Sequence, residues 1–575
     1  MFFEQRQAGF SQRAPALAVG VLLFTLAPVK LPAETPTIKS ILPLAAAPGK
    51  TTEVVIEGQR LAGVTGLWTT FESKISIVEA GKREESRLRL RIDIPEKTPV
   101  GIGAIRAAGP GGLSNLELFL IDDLPASTPG AKNTSAENAA AIEPPCAIDS
   151  RTTTDHRDYY SFRARAGQRL SFEVMAQRIG SRLDPILRIL DSAGREVAFS
   201  DDSAGADSRL AWRCEQEGEY LIELRDVIYR GGDGFTYRLR AGDFPLVSAP
   251  YPMRAEQEKS TKISIAGPDC AGVESRNVQL PGGSSGRAFS LGARFPGGAS
   301  SSFVTLLSSD LPELLEKEPN NRAESAGTLQ PPCAINGRFA NGGDRDFYQI
   351  AGKKGTRLVI RGETRHSGSP TDLYLRLEKP GGGKIAEAED RSYDPGKDKE
   401  KGKNYYFEEG VLNYTFPEDG RVILMVEDLI RRGGPEHVYR IEVRHGQGDF
   451  SLELEETLYS SAPGGDLKVK VRCRRNGYDG PIELVAEGLP GGTKPGKARI
   501  GKGKDSAELK ITLEKDLQPG SMGTFRIFGT PADGGRARRI EARTREALRK
   551  TFPRLFHPPR ILDGLAAFAV TEAKK

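Results

Sequence analysis

Histidine, cysteine, methionine and tryptophan are all scarce: five, five, five and two residues in a chain of 575. The histidines, His156, His366, His437, His445 and His557, form no HExxH pattern and have no companion at metal-ligand spacing, which removes that type of zinc-hydrolase chemistry. His437 and His445 flank a strand-like stretch, VYRIEV, and read as surface or strand-end residues. No CxxC pair occurs, so a zinc-ribbon framework is excluded. Nor does a glycine-rich loop open a helix after a strand, which leaves phosphate and dinucleotide binding without support. Gly282-Gly283-Ser284-Ser285-Gly286 satisfies GxSxG, but a nucleophile elbow needs a strand before it and a helix after it. This one sits in a Gly/Ser loop of a β-rich region, and no catalytic residue is assigned.

Long apolar runs are missing except for residues 16–27, ALAVGVLLFTLA, which follow Arg6 and Arg13 and precede Leu31-Pro32-Ala33. The run falls short of the ~20 residues of a membrane span and predicts a secretory signal over residues 1–33, cleaved after Ala33 or, failing that, after Ala27. The mature chain is therefore expected to have no membrane span, to be secreted, periplasmic or at the cell surface, and to have no nucleic-acid partner.

Glycine and proline are abundant, 65 and 38 residues. Together they exceed the roughly 12% of an average chain without reaching the roughly 25–30% of low-complexity sequence, as many short strands joined by tight turns require. Alternation is plain in RLRLRIDIP, where Leu88, Leu90, Ile92 and Ile94 share one face and Arg89, Arg91 and Asp93 the other. The reading is an all-β chain of serial β-sandwiches with small separate cores. An immunoglobulin-like unit spans 34–124, a jelly-roll-type unit 125–242, a small immunoglobulin-like unit 243–314, a second jelly-roll-type unit 315–446, and a last immunoglobulin-like unit 447–545. Residues 546–575 read as a basic then apolar tail. Arg536 to Arg560 holds nine basic residues against two glutamates, a solvated run whose alternative is attraction to anionic glycans or lipid headgroups.

Two of these units are copies. Pro144-Pro145-Cys146-Ala147-Ile148 repeats as Pro331-Pro332-Cys333-Ala334-Ile335, and Asp158-Tyr159-Tyr160 as Asp346-Phe347-Tyr348. Downstream, Asp226, Gly231-Gly232 and Tyr237-Arg238 match Asp428, Gly433-Gly434 and Tyr439-Arg440, with an insertion around DPGKDKEKGKNYY in the second copy. Cys146 and Cys333 are thus equivalents, Cys214 faces Phe416, and Cys270 and Cys473 stand alone. Buried thiols are expected rather than a disulfide framework, with Cys146–Cys214 the one pair inside a single unit.

At EKEPNN, PPCAING, GDRDFY, LDSAGREVA, GEYLIELRD and YRLRAG the repeat resembles the bacterial pre-peptidase C-terminal domain family. The interleaved units resemble the immunoglobulin-like, plexin-type (TIG) modules of planctomycete-type exported proteins. The resemblance implies a β-sandwich appended to secreted proteases and surface proteins, with calcium and collagen binding in the collagenase branch. Positions matching that family's ligands are Glu316, Glu318, Asn320, Asn321, Asp344 and Asp346. The residues themselves agree with calcium: in an extended segment Glu316, Glu318 and Asn320 point one way, and calcium takes six to eight oxygens. In the first copy Ala131 stands opposite Glu318, Thr134 opposite Asn321 and His156 opposite Asp344, so only Asn133 and Asp158 remain and calcium is not expected there. Asp201-Asp202 and Glu389-Asp390 read as solvated turns. The functional expectation is a non-catalytic exported protein for binding, adhesion or scaffolding, which holds an extracellular or envelope polysaccharide or protein. The alternative is an accessory or substrate-targeting component of a secreted peptidase system, with a secreted protease as partner.

Overall fold

Alternating burial along single strands shows why these residues fold as they do. In Arg87–Asp93 the leucines and Ile92 enter the core while the arginines face solvent, and Asp466–Asn476 repeats the pattern over eleven residues. This is a computed structural model, described for residues 34–78, 83–128, 133–283, 285–389, 391–392, 407–446, 449–532, 539–555 and 557–573. The signal over 1–33, Ala131, Ser284 and the insertion at 394–406 lie outside the described residues.

The chain is all-β, as a series of two-sheet sandwiches; among the described residues the single α-helix is Arg545–Thr551. In the first unit the sheet containing Thr51–Gln59 and Arg87–Asp93 faces the sheet containing Gly101–Gly109 and Glu117–Ile121, over Val54, Ile56, Leu90, Ile105 and Phe119.

The duplication is one of topology, strand for strand. In the first repeat Cys146–Arg151, Thr236–Gly242, Arg169–Met175 and Arg209–Arg213 form one sheet, and Asp158–Ala164, Gly218–Asp226, Pro185–Leu190 and Glu196–Asp201 the other. The second repeat places Cys333–Arg338, Val438–His445, Arg357–Glu363 and Val411–Thr415 opposite Arg345–Gly352, Gly420–Asp428, Leu373–Glu378 and Lys384–Glu389 in the same order. A short strand adds in parallel at one edge of every sheet. Even the turns match: Gly167 N–H bonds to Cys214 O and Gly355 N–H to Phe416 O, both at 2.8 Å. Between the repeats, two three-stranded sheets fill the third unit. Trp212 lies in the first repeat's core with Phe162, Phe172 and Tyr220.

Two expectations are corrected here. Residues 546–575 are not a tail: Ala566–Val570 inserts between Leu458–Ser461 and Met522–Pro531 and completes the last sandwich. The basic run before it is largely structural. Arg545 Nε lies 3.0 Å from Asp563 Oδ2, Arg543 pairs with Glu541 and Asp563, and Arg560 is intermediate in exposure.

Nor are the cores separate. Glu117–Ile121 is apolar on both faces, so Leu118 and Leu120 are left to pack outward while Phe119 and Ile121 fill the first sandwich. They join Leu44, Trp68 and Leu116 against Met175 and Ile179 of the first repeat and Leu548, Leu562, Ala567 and Ala569 of the last unit. Trp68 Nε1 donates to Thr524 Oγ1 at 2.9 Å, and Arg106 to Thr457 Oγ1 at 3.0 Å. Buried ion pairs tie other junctions. Arg238 and Arg240 reach Asp122 of the first unit, and Arg440 and Arg254 meet at Glu363, where the third unit joins the second repeat.

Candidate metal site

Glu316 to Asn321 runs beside the strand Arg345–Gly352 and bends at Glu318, with a cis Glu318–Pro319 peptide. Glu316 N–H bonds to Asn336 O at 2.9 Å, and Asn320 O accepts from Phe347 N–H at 2.9 Å. These two bonds hold the segment so that Glu316, Glu318 and Asp346 each offer an oxygen within 4.8 Å of the others. Asn320 is fully buried among them. One end of its side-chain amide lies 2.8 Å from Asp346 Oδ1, 3.0 Å from Glu318 Oε2 and 3.3 Å from Asn321 Oδ1. With nitrogen at that end, the amide donates to all three. That orientation satisfies the amide without an ion; with oxygen there, four oxygens would converge and a cation would have to sit among them.

Each carboxylate is held from behind. Asp346 Oδ2 accepts from Tyr439 O–H at 2.5 Å, which leaves Oδ1 toward the cluster. Glu316 Oε1 accepts from Arg338 N–H at 2.7 Å, and Glu318 Oε2 from Asn320 N–H at 2.9 Å. Asp344 lies at the rim, accepting from Asn321 Nδ2 at 3.3 Å, Arg345 N–H at 3.0 Å and Ala340 N–H at 2.8 Å. Of the six residues named from sequence, Glu316, Glu318, Asn320 and Asp346 converge directly, and Asn321 links them to Asp344. Burial, then the neighbouring Glu318, pushes the Glu316 carboxyl up to about 7. Burial, then Glu316, pushes Asp346 up to about 8. The donors are hard oxygens with no nitrogen or sulfur, the set that suits calcium.

The first repeat keeps the scaffold and loses the cluster. Asp158 accepts from Tyr237 O–H at 2.6 Å, and Tyr160 meets Tyr237 at 2.6 Å, as Tyr348 meets Tyr439 at 2.6 Å. His156, opposite Asp344, turns its Nδ1 to Thr154 O.

Sequence reasoning passed over two groupings. Asp184, Asp201 and Asp202 gather their carboxylates within 4.8 Å on the first repeat, and burial and mutual repulsion hold Asp184 and Asp202 above the ordinary range. The pairing of Ile186 with Asp201 causes this, and it is invisible without the strand register. His437, read as a surface or strand-end residue, stands just before the strand Val438–His445 and is buried, with Nδ1 3.2 Å from Thr371 Oγ1, which in turn meets Ser369. Although this places a serine, a threonine, a histidine and Asp428 together, all four are buried, and Asp428 is saturated by Arg432 and backbone donors. The grouping fixes a turn. All five cysteines are free thiols; Cys146 and Cys214 lie in one core without a bond between them.

Comparison with known protein families gives no match. A stretch of 68 residues is 34% identical to a probable subtilase-type serine protease of Deinococcus radiodurans, spanning 12% of this chain and 9% of that protein's length. Among solved structures, the chain is similar to the pre-peptidase C-terminal domain of a collagenase from Bacillus anthracis (14% identity, 20% of this chain and 96% of that one, TM-score 0.16). It is also similar to PliG of Aeromonas hydrophila, a periplasmic inhibitor of g-type lysozyme (17% identity, 23% and 97%, TM-score 0.13).

Proposed function

We propose that this is an exported, non-catalytic binding or scaffold protein of the cell envelope or surface, and that its second repeat holds one calcium ion. The ligands would be Glu316, Glu318, Asn320 and Asp346, with Asn321 and Asp344 closing the rim. The observation that carries this reading is the gathering of Glu316, Glu318 and Asp346 carboxylate oxygens within 4.8 Å of one another beside the buried Asn320 amide, in one repeat of two otherwise matched scaffolds. Bound calcium would neutralise the cluster, fix the segment at Glu316 and so set the junction between the third unit and the second repeat, where Tyr251 O–H approaches Glu316 Oε1 at 3.5 Å. The partner is an extracellular or envelope polysaccharide or protein. Excess chelator is expected to lower the melting temperature, and Glu318→Ala with Asp344→Ala to remove that response. A melting curve indifferent to chelator discards the calcium reading.

A second reading, an accessory or substrate-targeting component of a secreted peptidase system, is favoured by the stretch similar to a probable subtilase-type protease. Affinity capture from the source organism's secreted fraction separates the two. Recovery of a peptidase supports the second, and retention on envelope glycan or matrix protein without one supports the first.

A further inference from the structure

Four arginines are buried among the described residues, Arg106, Arg238, Arg240 and Arg440, each 4% exposed or less. Arg238 and Arg240 each meet two carboxylates, and Arg440 meets three. Arg106 forms no ion pair with any described residue. Its side chain runs from the strand Gly101–Gly109 into the seam where the first unit packs on the last. There Nη1 donates to Ser114 O at 2.7 Å and Nη2 to Thr457 Oγ1 at 3.0 Å, which uses two of the guanidinium's five N–H bonds. Nε is buried with no hydrogen-bond partner.

Arginine keeps its charge in a protein, and a buried charge left without a partner is strongly destabilising. The local groups do not compensate this one. Glu117 is the acid whose charge reaches Arg106, but its carboxylate accepts from Asn115 Nδ2 at 2.6 Å, and burial pushes it up to about 7, so that it is only part-ionised at neutral pH. The Trp68 ring, its centroid 5.9 Å from the guanidinium carbon, offers a partial negative face and no net charge. Burial accordingly pulls the Arg106 guanidinium down to about 10, against the opposing influence of Glu117.

Arg106 also lines a cavity of about 10 Å³, together with Thr457, Trp68 and four leucines, among them Leu116 of the first unit and Leu548 of the last. That volume holds about one water-sized body. A water there satisfies an N–H bond and leaves the charge uncompensated. An oxyanion such as a carboxylate or phosphate brings further oxygens, for which the leucines have no donor. A single-atom anion meets both conditions, because it supplies the charge and a weakly hydrated halide tolerates an apolar wall. Thr457 adds a second donor: its Oγ1 accepts from Nη2 and donates to no described residue, which leaves the hydroxyl proton for the same anion.

We propose that the cavity beside Arg106 binds one halide ion, chloride in a saline medium, as the missing counter-ion where the first and last units close on each other. This goes beyond the calcium reading and does not depend on it.

The test is melting of the full chain in sodium chloride exchanged against sodium gluconate at constant ionic strength, with excess chelator present so that the calcium site contributes nothing to the response. The wild-type melting temperature is expected to rise by about 1 °C for each tenfold increase in chloride above its dissociation constant. Arg106→Met, which removes the charge at similar length, is expected to flatten that slope. Crystals of the wild type grown in bromide should give an anomalous-scattering peak in the cavity within hydrogen-bond reach of Arg106, and this measurement decides the matter alone if the methionine variant fails to fold. Three results overturn the proposal: a wild-type melting temperature indifferent to the exchange, a chloride slope in Arg106→Met equal to that of wild type, or bromide peaks confined to the surface with a water in the cavity.

Discussion

Asp158 and Asp346 occupy the same place in the two repeats, and their neighbours decide what each does. Both accept a hydrogen bond from the second tyrosine of a buried pair, Tyr237 or Tyr439. Asp158 has no second carboxylate among its perturbers; burial alone leads its rise to about 6. Asp346 faces Glu316 and rises to about 8. The tyrosine bond is thus a shared structural device, and the acid cluster an addition to one copy. Tyr237→Phe removes the shared bond where no metal complicates the reading, and should destabilise the first repeat by about 1–2 kcal/mol in urea unfolding. A change under about 0.3 kcal/mol would make the bond incidental. Asp346→Asn is expected to abolish the calcium increment in melting temperature without lowering the calcium-free value, since it removes one of three mutually repelling groups; a clear drop in the calcium-free value would mean that the carboxylate is held there for packing. At this scale much was legible. The residues Glu316, Glu318 and Asn320 could be named from EKEPNN, but the period of two is not how they meet, because the segment bends at Glu318 with a cis Glu318–Pro319 peptide. The Asn320 amide at the centre was not legible as such, because its position depends on the backbone bond to Phe347, 27 residues away.

The segment from Arg543 to Val570 shows where reading elements from sequence fails. Its basic run has the composition of a solvated tail, and nothing in its spacing reveals that the compensating acids are Asp563 and Glu541. Asp563 takes Thr544 N–H at 3.1 Å and Arg545 at 3.0 Å, and the surrounding guanidinium groups hold its carboxyl far below the usual range. Asp563→Ala removes the counter-ion of Arg545 and the carboxylate nearest Arg560, and leaves Arg543 with Glu541 alone; it should cost about 3–5 kcal/mol, read as an earlier unfolding transition in denaturant. Loss of under about 1 kcal/mol would show that the arginines swing out into water. The same segment carries a pH dependence. His557 lies against His366 of the second repeat, ring centroids 4.5 Å apart and planes tilted by 59°, with His366 Nδ1 3.1 Å from Glu409. Burial, then His366, Arg549, Arg560 and Arg365, push the His557 imidazole down to about 3. The folded chain therefore keeps it neutral while the unfolded chain protonates it below about 6.5, so stability falls as pH drops from about 6.5 toward 3. Melting temperatures across pH 7 to 4 should fall more steeply for wild type than for His557→Gln; parallel curves would remove His557 as the cause.

The whole molecule departs furthest from its sequence. Alternation and turn residues were enough to read sandwiches, because each strand's period is local. How the sandwiches meet depends on outward faces, and an apolar outward residue such as Leu118 looks the same in sequence as a core one. The result is a chain closed on itself: the first unit packs on the last through Trp68 and Leu548, and Glu572 N–H bonds to Pro110 O at 3.0 Å. The third unit touches the first through Ser290 and Val100 and the last through Ser285 and Arg543. Strung modules would unfold independently; these should not. The chain's two tryptophans make the difference measurable. Replacing Trp68 leaves Trp212, in the core of the first repeat, as the sole indole reporter. Trp68→Phe largely preserves the shared core, whereas Trp68→Ala opens a cavity worth roughly 3–5 kcal/mol in a cluster to which the first repeat contributes Met175 and Ile179. If the units are energetically coupled, Trp212 fluorescence in the alanine variant reports unfolding at lower denaturant than in the phenylalanine variant, although the mutated position lies in a different sandwich. Coincident Trp212 midpoints would mean that the shared core fixes geometry without joining stabilities, and that each repeat stands on its own aromatic and leucine core.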